Sequence, residues 1–271
     1  EEIKWDTDRE VLLKAFEFWV QAAQYAYSLF SVQEATDAFS NAGRIIPREP
    51  GLSEENLYQL YASWTDMAFE NDNQETLFRI NETMHSLGQD RNSDLLIGTA
   101  YDGLSDACFA SNQFEKGLKF TLDAIPHLQR ADNLYELLNA QMHQGVFLYM
   151  LGKFPEARKL LYNVLEQMPV ERDTKFINLN SHLHFQIGTV EVLTGFPDKG
   201  LEFLLPVHPG VLSHLNGAKL AFCDADLTAR ALIRINDRLI AAGGYPFFER
   251  VPRHDGGGYG IAAAPVTVAD H

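Results

Sequence analysis

Large residues recur along the chain at Trp19, Tyr61, Tyr101, Gln141 and His184, at intervals of 42, 40, 40 and 43 residues. A repeat of about 40 residues is one supersecondary unit that buries its apolar face only by stacking on its neighbours. The clearest unit runs from Gln141 to Pro169. In it Gly145 lies seven residues before Gly152-Lys153-Phe154-Pro155-Glu156-Ala157, and Leu161, Val164 and Pro169 follow. Gly145 and Ala157 are small where two helices must cross closely. Gly152 suits the positive φ of a turn, and Pro169 ends the second helix. The layout returns at Ala22, Ala23, Ala26 and Ala35 upstream, and at Gly188, Gly195 and Gly200 downstream. Each unit predicts a pair of amphipathic helices, and five units predict an all-α superhelix.

These residues resemble the tetratricopeptide repeat (TPR) family, whose pattern is a large residue, Leu-Gly, an aromatic, Gly-x-aromatic, Ala, an aromatic or Leu, Ala and Pro. The units Gly145 to Pro169 and Trp19 to Pro47 match it well, and those starting near Tyr61, Tyr101 and His184 match loosely. The resemblance covers about residues 15 to 208 and implies a right-handed solenoid of about five helix pairs. Its period exceeds the family's usual length of about 34, as in the helical arrays behind the nucleotide-binding module of bacterial signal-transduction ATPases, including LuxR-type and adenylyl-cyclase-linked regulators. The organisation expected is a repeat array over 1–208, a terminal capping helical region over 209–242, and a Gly/Pro-rich tail over 243–271. Leu227 to Ala242 reads as the capping helix, stopped by Gly243-Gly244. The apolar end of the tail, Ile261 to Val268, either docks as an extended segment or stays disordered.

Charge narrows the partners. The chain carries a net −15, which disfavours nucleic acid in the absence of a basic patch. Two cysteines make no disulfide framework and no apolar run approaches a membrane span, so a cytoplasmic chain is expected. The opening Glu1-Glu2-Ile3-Lys4-Trp5-Asp6 has neither a signal-peptide pattern nor an initiator methionine and reads as part of a longer or processed protein. Between Glu49 and Glu136 there are 16 acidic and five basic residues, a net of −11, against −4 elsewhere. Either a solvated outer face or an acidic groove explains that concentration.

The resemblance implies that the first helix of each pair lines the groove through its second, fifth, ninth and twelfth positions. The twelfth positions are Tyr27, Phe69, Phe109, Tyr149 and Val192, an aromatic column that reads either as partner anchors or as ordinary packing. The ninth include Gln24, Asp66 and Asp106; the fifth include Asp102; the second include Asn139 and His182. None of the twenty is Lys or Arg, which argues against capture of a C-terminal carboxylate, the habit of the family's chaperone-binding members. The expected function is a non-catalytic protein or peptide interaction module for a basic or amphipathic partner. Its expected binding residues are Tyr27, Phe69, Phe109, Tyr149, Gln24, Asp66, Asp102, Asp106, Asn139 and His143. One alternative is a sensor in which Asn139, His143 and Gln186 hold a small regulatory ligand; a third is an enzyme whose site the tail completes. No metal or cofactor is expected, since His182 and His184 point to different faces of a helix and lack a third ligand. Cys108 falls on a packing position, and both it and Cys223 read as buried thiols. The segment His254 to Gly260 lacks the Lys-Ser/Thr of a phosphate loop and reads as a linker.

Overall fold

The computed structural model describes residues 2–71, 73–169, 174–204, 248–252 and 259–263. Ten helices form five successive pairs among them: α1 (Glu2–Ser28) with α2 (Val32–Gly43), α3 (Glu54–Glu70) with α4 (Gln74–Arg91), α5 (Asp94–Ala110) with α6 (Phe114–Arg130), α7 (Leu134–Met150) with α8 (Phe154–Gln167), and α9 (Thr174–Leu193) with α10 (Pro197–Leu204). A 3-10 turn over Ile46–Arg48 links the first two pairs. The chain is an all-α repeat solenoid of the expected class. It divides into two compact units, Glu1–Leu160 and Leu161–His271.

One turn geometry repeats within every pair. Three residues separate the two helices, and the third donates its N–H to a carbonyl five residues earlier. The bonds are Ser31 to Ala26, Asn73 to Ala68, Gln113 to Cys108, Lys153 to Leu148 and Phe196 to Glu191, at 2.8 to 3.0 Å. This closes the first helix and satisfies a carbonyl that its last turn would leave open. The middle residue takes a left-handed backbone at Phe30, Asn112, Gly152 and Gly195. Glycine adopts it freely and Asn tolerates it, whereas a bulky side chain pays roughly 1–2 kcal/mol. Phe30 is therefore the exception in this series.

Side-chain caps start most of the first helices. Ser53 and Asn56 form a reciprocal capping box at α3, and Ser93 and Asn133 accept from Leu96 and Glu136 backbone N–H groups at α5 and α7. In the first unit a continuous core gathers Phe16, Phe39, Leu57, Leu60, Leu77, Ile80, Met84 and Leu96. Polar side chains are buried beside it, Asn81 among them. Asn81 is fully buried, accepts from Thr65 Oγ1 at 3.1 Å and donates to the Leu77 carbonyl at 2.9 Å. A Cβ on Gly103 would lie 2.3 Å from it, so α5 approaches Asn81 through a glycine.

In the second unit the expected small-residue crossing is present. A Cβ on Gly188 would stand 2.9 Å from the Gly200 carbonyl oxygen, so α9 and α10 meet backbone to backbone. Lys199 contacts the buried Glu191 at 3.2 Å and lies over the Tyr162 ring at 4.8 Å. The tail contributes an antiparallel pair, β1 (Phe248–Pro252) and β2 (Tyr259–Ala263), with Arg250 opposite Ile261. Sequence reasoning anticipated a non-helical tail there but not a strand pair. The capping helix expected over Leu227 to Ala242, Cys223, and most of the Gly-rich segment lie outside the described residues.

Candidate functional site

The charge imbalance separates by helix. Helices α3, α5 and α7 carry eight carboxylates (Glu54, Glu55, Asp66, Glu70, Asp94, Asp102, Asp106, Glu136) and no Lys or Arg. Helices α4 and α6 carry five acids and five bases. First-turn acids such as Glu54, Glu55, Asp94 and Glu136 complement the helix dipole. That reason does not reach Asp66, Asp102 and Asp106 in mid-helix, and Glu70 sits where the dipole disfavours it. Four of these five bases are engaged locally: Arg79 lies over the Trp64 ring, Arg91 donates to the Leu52 carbonyl, Lys116 lies over Phe78 and Phe120, and Arg130 bonds Asp94.

Three of the expected residues converge with Asp102. This carboxylate is buried on α5 and accepts from Asn139 Nδ2 at 2.9 Å and from His143 Nδ1 at 3.0 Å, both on α7. Asp106, one turn further along α5, stands 3.6 Å from the same imidazole nitrogen. Burial works against a charge on His143, but the fields of Asp102 and Asp106 outweigh it and raise its pKa to about 10. The imidazole is therefore cationic at neutral pH.

A second bond closes over α5. The Tyr58 hydroxyl of α3 donates to Glu136 Oε1 of α7 at 2.5 Å, with both residues buried and 78 positions apart. Burial and the adjacent carboxylate push the phenol well above its ordinary range. Side chains from the second and fourth pairs can meet across the third only on the inner side of the curve. This bond places α3, α5 and α7 in the inner row of the first unit. Sequence reasoning missed both partners. Tyr58 is the first position of its repeat and Glu136 precedes the frame altogether, because these helices begin several residues earlier than the family pattern. The signal available was Glu136 lying three and seven residues before Asn139 and His143, on one helical face.

The remaining expected residues are dispersed. Gln24 on α1 is exposed and donates to Ser63 Oγ of α3 at 3.0 Å. Asp66 is exposed, Phe69 is half-buried, and Tyr27 is half-buried with its hydroxyl enclosed. Phe109 packs with ring centroids 6.2 Å from both Phe114 and Phe147, and Tyr149 is buried. On α9, His182 is exposed and His184 meets Phe203 edge-on at 5.4 Å. Among the described residues no three His, Cys, Asp or Glu side chains gather around a possible ion, and no helix is long and apolar enough to cross a membrane. Cys108 is buried, which raises its thiol pKa.

No protein-family model matches the chain, and no curated protein sequence does. Solved structures do. The apo form of RapI aligns with a TM-score of 0.56 at 11% identity, over 84% of this chain and 85% of that one. The likeness is one of fold. A Rap protein complexed with competence and sporulation factor aligns at 0.55 and 12% identity over 84% of this chain. The Rap conjugation gene regulator of plasmid pLS20, in complex with the Phr* peptide, aligns at 0.59 and 12% identity over 86% of this chain. The chain spans 66% of the length of each of these two complexed proteins.

Proposed function

We propose that this chain is a non-catalytic, TPR-like interaction module whose inner helical row receives a basic or amphipathic peptide or partner segment, within a larger cytoplasmic signalling protein. The observation that carries this reading is the segregation of charge: eight carboxylates without a Lys or Arg on α3, α5 and α7, beside a balanced α4 and α6. Such a row steers a cationic partner and repels an anionic one. Two of the structurally similar proteins are complexes, one with the Phr* peptide and one with competence and sporulation factor, which supports the same use of this fold. Asp66, Asp102 and Asp106 read charge, Gln24, Asn139 and His143 supply hydrogen bonds, and the half-buried Tyr27, Phe69 and Phe109 form the apolar lining.

A small regulatory ligand is the second reading, favoured by the enclosed polar group around Asp102, Asn139 and His143. A matched peptide panel separates the two. Fluorescence anisotropy with helical peptides identical except for Lys, Gln or Glu at their polar positions should rank Lys above Gln above Glu. Equal binding of all three, or none, contradicts the interaction reading.

A further inference from the structure

Among the described residues, the least covered apolar surface belongs to α1. Val11, Phe18, Tyr25 and Leu29 are 60, 62, 68 and 59% exposed, and Phe30 at the adjoining turn is 86% exposed. With the half-buried Ala15 and Ala22 they form a seam at alternating steps of four and three, the spacing by which one helix packs along another. The buried face of α1, through Phe16, Val20 and Ala23, is already occupied by its own unit. Phe30 holds a left-handed backbone where other pairs use Asn112, Gly152 or Gly195, and its exposed ring recovers nothing within its own fold. Large and small residues alternate along the seam, so it can interdigitate with a copy of itself.

Charge selects the direction. Every charged residue of α1 lies at or before Glu17, and residues 18–31 carry none. A parallel pair would set Glu10 beside Glu10 and Glu17 beside Glu17. An antiparallel pair sets the charged half against the uncharged half and opposes the helix dipoles. The three exposed rings alone present on the order of 400 Å². With Val11, Leu29 and the seam's flanks, two copies would bury on the order of 1,000 Å², the lower range of a specific interface.

We propose that two copies of this chain pair through antiparallel α1 seams, Phe18 against Ala22 and Val11 against Leu29 of the other copy. The inference is independent of the inner-row reading. Sedimentation equilibrium of the whole chain should show a dimer whose share rises with concentration. Phe18→Glu should make it monomeric with the thermal melt and far-ultraviolet circular dichroism unchanged, since that side chain is exposed. Mixed Val11→Cys and Leu29→Cys chains should cross-link under mild oxidation beyond a parent-chain blank, and Val11→Cys alone should not. A monomer at every concentration overturns the proposal and leaves the seam to a helix of another protein or of a longer chain. A dimer indifferent to Phe18→Glu, or one cross-linked by Val11→Cys alone, overturns it equally.

Discussion

Helices α5 and α6 belong to one pair, have the same length and pack on each other, yet they treat charge in opposite ways. On α6, Lys116 lies over aromatic rings and Arg130 is tied to Asp94, so two of its three bases are engaged within the fold. On α5, Asp102 and Asp106 face α7, where the imidazole of His143 stands against both. The same contrast extends to α3 and α7 on one side and α4 on the other. Helices α4 and α6 balance their acids with bases, whereas α3, α5 and α7 carry acids without Lys or Arg. Like charge gathered on one row opposes compaction. Its confinement to one row is the observation on which the proposed site for a cationic partner rests.

The comparison can be broken first through stability. Tyr58→Phe keeps the ring and removes the donor to a buried carboxylate, and should cost about 1.5–3 kcal/mol in urea unfolding. Asp123→Asn on α6 should stay within about 0.5 kcal/mol. Equal effects would mean that the Tyr58–Glu136 bond does not brace the inner row.

A smaller effect is carried by pH. The folded pKa of His143 is raised above the ordinary 6.5 to about 10, so its contribution is complete below pH 6.5 and fades as pH rises toward 10. Stability should decline across that window, and His143→Gln should flatten the decline. Nuclear magnetic resonance of the His143 ring should show it protonated at pH 8; a midpoint near 6.5 would remove the Asp102–His143–Asp106 cluster from the account.

The helix pairs were legible because two constraints act locally. A close crossing needs small residues, as Gly188 and Gly200 show, and a three-residue turn needs a left-handed backbone, as Gly152 and Gly195 show. Each leaves a fixed mark in the sequence. Asp102 and Asn139 were legible for a related reason, since a repeating frame assigns them to one side of their helices, whereas His143 lies one place beyond the frame's fifth position. The Tyr58–Glu136 bond was not. Whether two side chains 78 residues apart meet depends on how tightly the array curves, and curvature is the sum of many small packing angles that no single motif records. The aromatic column illustrates the converse. The frame set Phe109 in a column with Tyr149, but whether a ring faces a partner or a neighbour depends on what stands beside it, here Phe114 and Phe147.

The central claim is that the excess carboxylates of the inner row bind a cationic partner, and the salt dependence of binding tests it most directly. Affinity for the Lys-bearing peptide is measured against salt for the parent chain, for Asp66→Asn/Asp102→Asn/Asp106→Asn, and for an outer-row control, Glu75→Gln/Glu82→Gln/Asp123→Asn. Both triples change net charge equally. The inner triple should weaken binding on the order of tenfold at low salt and flatten the salt slope, with the outer triple close to the parent. Equal weakening by both triples would show that bulk charge alone attracts the peptide, and would contradict the assignment of the inner row as its site.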